Sequence, residues 1–408
     1  MLTLQWKKRI SVMNKAMKYF AGLAVMLLTI LSACSKSGSH SDYLLNVDSD
    51  HTTETFRFGL DQVARVFAAL PIGAEQVSEV HDAVNGSISR GYDEEYTMRQ
   101  LFEAPGCGVG ENGVTKAGMY RRPLRELLRE YLYSETATKS RPYSAEEFLE
   151  ELEKSDLQIY WPYSDEWDGE KYPIITFDPG YESDYNYGYR LRRGEDGELA
   201  VDSVYVDEKV AMSEPVWVIN SNCDGTATPL PLYVPDESEK GLALEGASTK
   251  GMNRILRMKS FTMLRHYDSW FQGGSEFFIK CGSVNGFSAS TEAELKLYSP
   301  SVTDFMVVVK RKYLNEEREY NAIILTNFTN QLDNLAFLVT EDDGGATTSW
   351  KCSATVKIKS KSYGFDVDIP YKENDDIVWR GQLAASFFQS EDIVTGRFGD
   401  VIIKFALD

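Results

Sequence analysis

Carboxylates gather at turns in the last third of the 408-residue chain, where loops from neighbouring strands could bring them together. Asp268 precedes Gly273, Gly274 and Glu276; Glu341, Asp342 and Asp343 precede Gly344; Asp375 and Asp376 close a strand-like run. Calcium takes roughly six to eight oxygen ligands, and acidic loops can supply them without a histidine. Converging carboxylates repel one another unless a cation or a proton lies between them. These residues are therefore candidate calcium ligands, with solvated turns as the plainer use of the same composition.

A second group is aromatic. Trp161, Tyr163, Trp167, Tyr172, Tyr181, Tyr185, Tyr187 and Tyr189 are interleaved with Asp165, Glu166 and Asp168. Flat rings offer an apolar platform and adjacent carboxylates offer hydrogen-bond acceptors, a combination suited to sugars. Trp161, Tyr163, Trp167 and Asp168 are the candidate ligand-binding residues, for a glycan or an envelope protein. Packing of a sheet against helices would use the same rings differently.

Local signatures of catalysis are sparse. The histidines are His40, His51, His81 and His266, and neither a G-x-S-x-G elbow nor a His-Glu-x-x-His pair occurs. Gly106, Gly108, Gly110 and Gly113 follow no strand and lack the Lys-Ser/Thr that completes a phosphate loop. A glycosidase-like hydrolase working through paired carboxylates leaves no local motif, and it stands as the alternative to a non-enzymatic binding module.

The elements that must position these groups follow from apolar periodicity. Phe56, Leu60, Val63, Phe67 and Leu70 mark one helical face, ended by Pro71. Val77, Val80, Val84 and Ile88 mark a second, with His81 on the same stripe, and Leu124, Leu127, Leu128 and Tyr131 a third. Ser144 and Glu147 have the spacing of a capping box ahead of Phe148, Leu149 and Leu152. At Leu157 the period changes to two, with Leu157, Ile159 and Trp161 alternating with Gln158 and Tyr160. Beyond Ile255 the alternation is almost continuous, clearest in Cys352, Ala354, Val356 and Ile358 and then in Phe365, Val367 and Ile369. The expected class is α+β: a small helical N-terminal domain at 52–154, a β-rich middle region with a linker at 155–254, and a C-terminal antiparallel β-sandwich at 255–408.

Lys and Arg number 43 against 62 Asp and Glu, for a formal charge of -19. That balance argues against a non-specific nucleic-acid binder, which needs clustered cations to neutralise phosphate. The basic residues that do cluster, Lys7, Lys8, Arg9, Lys15 and Lys18, precede an apolar run from Phe20 to Leu31 and then Leu31-Ser32-Ala33-Cys34. This is the layout of a secretory signal at 1–33 ending in a lipobox, and the apolar run is too short for a permanent span of roughly 20 residues. It resembles bacterial lipoprotein signals, which implies removal of 1–33 and lipidation of Cys34. The small polar residues after it make 34–51 a flexible tether. Ser35 resembles the outer-membrane sorting pattern of diderm bacteria, which implies a lipid-anchored outer-membrane protein with either the periplasmic or the surface face open.

Disulfides persist in that compartment, and Cys107, Cys223, Cys281 and Cys352 remain. Cys281 with Cys352 is the favoured pair because both lie on apolar sides of alternating strands; buried free thiols are the alternative. The lipobox, the run Phe148-Leu149-Glu150-Glu151-Leu152 and the stretch Leu157-Gln158-Ile159-Tyr160-Trp161-Pro162-Tyr163-Ser164-Asp165-Glu166-Trp167-Asp168-Gly169 together resemble an uncharacterised family of Bacteroides-group lipoproteins. The resemblance implies an address and a domain order, and no activity. The acidic turns resemble those of C2-type calcium-binding sandwiches over the last third only. Asp202-Ser203-Val204 resembles the short O-glycosylation acceptor of the same bacterial group, which implies modification at Ser203.

Overall fold

Helices with one apolar face need a surface to cover, and here that surface is a sheet. The computed structural model describes residues 57–103, 120–134, 142–180, 183–193, 199–222, 227–234 and 254–408. Cys34, the tether, the glycine-rich 106–113 segment, Cys107, Cys223 and most of the linker lie outside the described residues. α1 (Leu60–Ala68) buries Val63, Ala64, Val66 and Phe67. α2 (Ala74–Ser89) buries Val77, Val80, Ala83 and Val84, and with them Gln76 and Glu79. A short α3 (Met98–Phe102) follows, then α4 (Leu124–Tyr133), which buries Leu124, Leu127, Leu128 and Leu132. α5 (Ala145–Lys154) opens on the expected capping box: the Ser144 hydroxyl accepts from the Glu147 N–H at 3.1 Å, and the Glu147 carboxylate accepts from the Ser144 N–H at 3.0 Å.

Strands β1 (Glu95–Thr97), β2 (Leu157–Tyr160), β3 (Ile174–Phe177), β4 (Tyr185–Arg193), β5 (Leu199–Asp207) and β6 (Val216–Ser221) form a sheet in the order β1-β2-β6-β3-β4-β5. Only the β3–β6 pair among them is parallel. Leu157, Ile159, Trp161, Ile175, Trp217 and Ile219 share one apolar core with the five helices. The boundary placed between 154 and 155 from periodicity therefore runs through a single core. β1, inside the helical segment, pairs with β2 through Glu95↔Tyr160 and is too short to show a period of two. The other face of the sheet is also covered: Tyr160, Ile174, Val206, Val216 and Val218 cluster with Trp270 and Phe271 from the C-terminal part. Tyr160 is accordingly buried, and so is Gln158, whose amide oxygen accepts from the Asn222 amide at 2.8 Å.

β7 (Arg254–Met263), β10 (Arg318–Phe328), β15 (Ile393–Phe398) and β16 (Val401–Leu407) form a four-stranded antiparallel sheet in the order β10-β7-β16-β15. β8 (Ser275–Ser283), β9 (Ser301–Val309), β11 (Leu332–Glu341), β12 (Thr347–Ile358) and β13 (Lys361–Lys372) form a second in the order β13-β12-β11-β8-β9, with β14 (Asp376–Ala384) pairing β11. One core, including Phe261, Phe277, Ile279, Phe337, Val356 and Phe405, lies between them, so the arrangement is sandwich-like. The molecule is thus α+β and β-rich, with antiparallel pairing dominant.

Cys281 and Cys352 are free thiols, which corrects the favoured disulfide. Cys281 is buried in the core as a small apolar group, and burial pushes its thiol far above the usual range. Cys352 is half-buried on β12, its Sγ directed 3.5 Å from the Val367 carbonyl, and burial raises its pKa to about 11.

Candidate metal centre

Three strand ends meet at one end of the double sheet. Glu341, the last residue of β11, pairs Phe277 of β8 on one side and Asp376 of β14 on the other. The Asp342 N–H donates to the Glu276 carbonyl at 2.9 Å, which extends the β11–β8 ladder past its end. The loop between β7 and β8 then lays Asp268 against this edge. Carboxylate oxygens of Asp268, Glu276 and Glu341 all lie within 4.8 Å of one another. Gly344 and Gly345, at φ 73° and 91°, let the following loop fold back beside them, a conformation that L side chains rarely adopt.

The electrostatics of this trio are severe. Glu341 is 1% exposed, and neither of its carboxylate oxygens has a hydrogen-bond donor. Asp268 Oδ2 is buried and equally without one. Two ionised carboxylates cannot hydrogen-bond each other, so a proton or a cation must lie between them. In the absence of a cation, burial pushes Glu341 up to about 12, reinforced by contact with Asp268 and by the negative charges of Asp343 and Asp376. Burial is also the first cause of the rise at Asp343, to about 6, and at Asp375, to about 6.

The remaining acidic candidates divide by role. Asp375 accepts from the Lys372 N–H at 2.9 Å and the Asp343 N–H at 3.4 Å, and Asp342 accepts from the Gly344 N–H at 3.1 Å. Both therefore shape turns. Asp376 is exposed and lies 3.8 Å from the Arg265 guanidinium. The oxygen-only donor set of the trio suits a hard cation and offers nothing to attract a thiophilic metal.

The aromatic candidates make most of their contacts within the chain. Trp161 is 1% exposed and sits edge-on to Trp217 at 5.9 Å and Trp167 at 5.5 Å, so it is a core ring. His81 packs against the same pair, 5.5 Å from Trp161 and 5.0 Å from Trp167. Tyr163 donates to Glu208 at 2.9 Å, and Asp168 accepts from the Glu170 and Lys171 N–H groups at 2.9 and 3.0 Å, holding a turn. Trp161, Tyr163, Trp167 and Asp168 nonetheless line one small cavity, together with Met212 and Glu214. Exposed rings include Tyr185 and Tyr205, which stack at 5.5 Å on the paired strands β4 and β5, beside Tyr187. Ser203 is exposed on β5, opposite Tyr189.

A buried charged seam went unnoticed in the sequence. Lys310 Nζ lies 3.3 Å from Glu94 Oε1, with both side chains buried. Glu94 also accepts from the Ser164 N–H at 2.9 Å, the Ser164 hydroxyl at 2.8 Å and the Tyr163 N–H at 3.2 Å. Arg311 Nε donates to Glu208 Oε1 at 2.7 Å, and Lys312 pairs with Asp165. The signal was present as two complementary runs, Asp93-Glu94-Glu95 and Lys310-Arg311-Lys312, but each alone reads as a solvated face.

Comparison with known proteins finds no matching family model, no matching curated protein and no matching solved structure. Among the described residues, no helix is long and apolar enough to cross a membrane.

Proposed function

We propose that the protein is a non-enzymatic binding module, lipid-anchored at the outer membrane through Cys34, whose C-terminal β-sandwich domain takes calcium at its strand ends. The observation that carries the calcium reading is Glu341: a carboxylate 1% exposed, with both oxygens lacking a donor, within 4.8 Å of carboxylate oxygens of Asp268 and Glu276. A divalent cation would satisfy those oxygens and remove the mutual repulsion in one step. The anchor, the helical N-terminal domain and membership of the Bacteroides-group lipoproteins rest on the sequence patterns. A glycan or an envelope protein is the partner proposed for the module. The alternative, a glycosidase-like hydrolase with paired carboxylates in a cleft of the middle region, has less to carry it, because Asp168 and Glu214 in the small cavity there are held by the Lys171 N–H and by Arg190.

The test is the thermal midpoint of the mature chain with millimolar calcium and then with chelator. Calcium at 100 times its dissociation constant adds about 2.7 kcal/mol to the native state, a rise of several degrees. A chelator-reversible rise in the parent that is absent from Glu341→Gln is the expected result. An unchanged midpoint, with no heat of binding by calorimetry, overturns the calcium reading.

A further inference from the structure

The loop between β7 and β8 touches two things at once. Its residue Asp268 faces Glu276 and Glu341, while Trp270 and Phe271, two and three residues on, are buried against Tyr160, Ile174, Val206, Val216 and Val218 of the N-terminal sheet. Its backbone is held from the N-terminal side as well. The Asn220 amide donates to the carbonyls of Phe271 and Gln272, each at 2.9 Å, and Asp93 Oδ2 accepts from the Gly274 N–H at 2.7 Å. Trp270 Nε1 donates to the Asp184 carbonyl at 3.0 Å. Arg311 completes the link: it donates to the Asp268 carbonyl at 2.9 Å and to Glu208, in α6 (Glu208–Ala211), at 2.7 Å.

Of the three clustered carboxylates, two stand on strands. Glu276 belongs to β8 and Glu341 to β11, and ladder hydrogen bonds hold both backbones. Asp268 alone stands on a loop, so repulsion within the trio is relieved by moving Asp268. Two residues of chain span at most about 7 Å, which leaves little slack between Asp268 and Trp270. A shift at the carboxylate is therefore felt at the buried ring and at the carbonyls that Asn220 and Arg311 hold.

We infer that cation binding at Asp268, Glu276 and Glu341 locks this loop and thereby tightens the docking of the C-terminal double sheet on the N-terminal sheet. The inference rests on the cation reading above and adds its consequence: the site acts as a clasp between the two parts of the chain. Coupling of this kind is reciprocal, so weakening the loop's grip on the N-terminal part must weaken cation binding.

The test uses the mature chain and calcium alone, with affinity by calorimetry and amide hydrogen exchange with and without calcium. Calcium is expected to slow exchange in 266–274 and also in the N-terminal segments 160–164 and 206–211. Asn220→Ala and Glu208→Gln, neither in the trio, are expected to lower calcium affinity about five-fold or more. Glu208→Gln serves should Asn220→Ala fail to fold. Calcium binding with unchanged affinity in these variants and protection confined to 268–276 and 341–343 overturns the clasp and leaves the site standing. Absence of any binding heat overturns both.

Discussion

The molecule contains two concentrations of buried carboxylate, and they are balanced in opposite ways. In the seam between the N-terminal sheet and the double sheet, Glu94 meets Lys310 at 3.3 Å and Glu208 meets Arg311 at 2.7 Å, with backbone N–H groups filling further lone pairs. At the strand ends, Asp268, Glu276 and Glu341 meet each other, and both Glu341 oxygens lack a donor. The seam carries its cations within the chain. The strand-end cluster is complete only with a proton or an added cation. The difference lies in the partner, which makes the first architecture and supports the proposal of a site at the second.

The sharpest way to break this contrast is at Lys310. Lys310→Met leaves Glu94 buried without its cation, and an unpaired buried charge costs about 3–5 kcal/mol. The urea midpoint should fall accordingly; a loss under about 1 kcal/mol would put the seam in the class of surface pairs.

Glu79 supplies a third case, a buried carboxylate held by hydrogen bonds from the Leu124 N–H at 2.5 Å and the Tyr96 hydroxyl at 3.4 Å. Burial outweighs them and raises its pKa from 4.5 to about 7. The folded state therefore binds this proton more tightly than the unfolded chain. Its stabilising contribution is full below about pH 4.5 and is lost as pH rises through about 7, amounting to about 3 kcal/mol over that window. Glu79→Gln should flatten the fall in stability between pH 5 and 8 that the parent shows in denaturant titrations, leaving the strand-end response to calcium intact.

At the strand ends the expectation differs. Glu341→Gln in chelator should match the parent in stability, because without a cation burial already holds the Glu341 carboxyl protonated and the amide is its neutral isostere, while the calcium-dependent gain of about 2.7 kcal/mol at 100 times the dissociation constant disappears. A large loss in chelator would show that Glu341 has a structural partner and would close the gap between the two regions. The smallest effect is a control outside both: Ser144→Ala removes a helix cap and should cost about 1 kcal/mol by thermal melting, with no dependence on calcium.

Several of these features were visible along the chain. The capping box at Ser144 and Glu147 is local, and so it could be read from a spacing of three. Asp268, Glu276 and Glu341 were named from their places beside turns, and the structure brings them together. Asp342 and Asp375 were named for the same reason but tie down their own loops, a distinction set by hydrogen bonds that spacing does not display. Trp161 looked like a platform because aromatic density does not tell which face of a strand is covered; the helices lie on that face. The seam was missed because its two charge runs are far apart in sequence and each is ordinary alone.

Sequence alone determined the longer helices and strands and their apolar stripes, because the helical period of 3.6 and the strand period of 2 are imposed by backbone geometry and show in a stretch of a dozen residues. Tertiary structure alone decided that Glu94 met Lys310 while the Glu341 oxygens met no donor. Asp93 and Gly274 lie 181 residues apart, yet the carboxylate of one accepts from the N–H of the other at 2.7 Å. Such pairings depend on sheet order, register and the packing of one sheet on another, and these arise only when distant segments close on a common core.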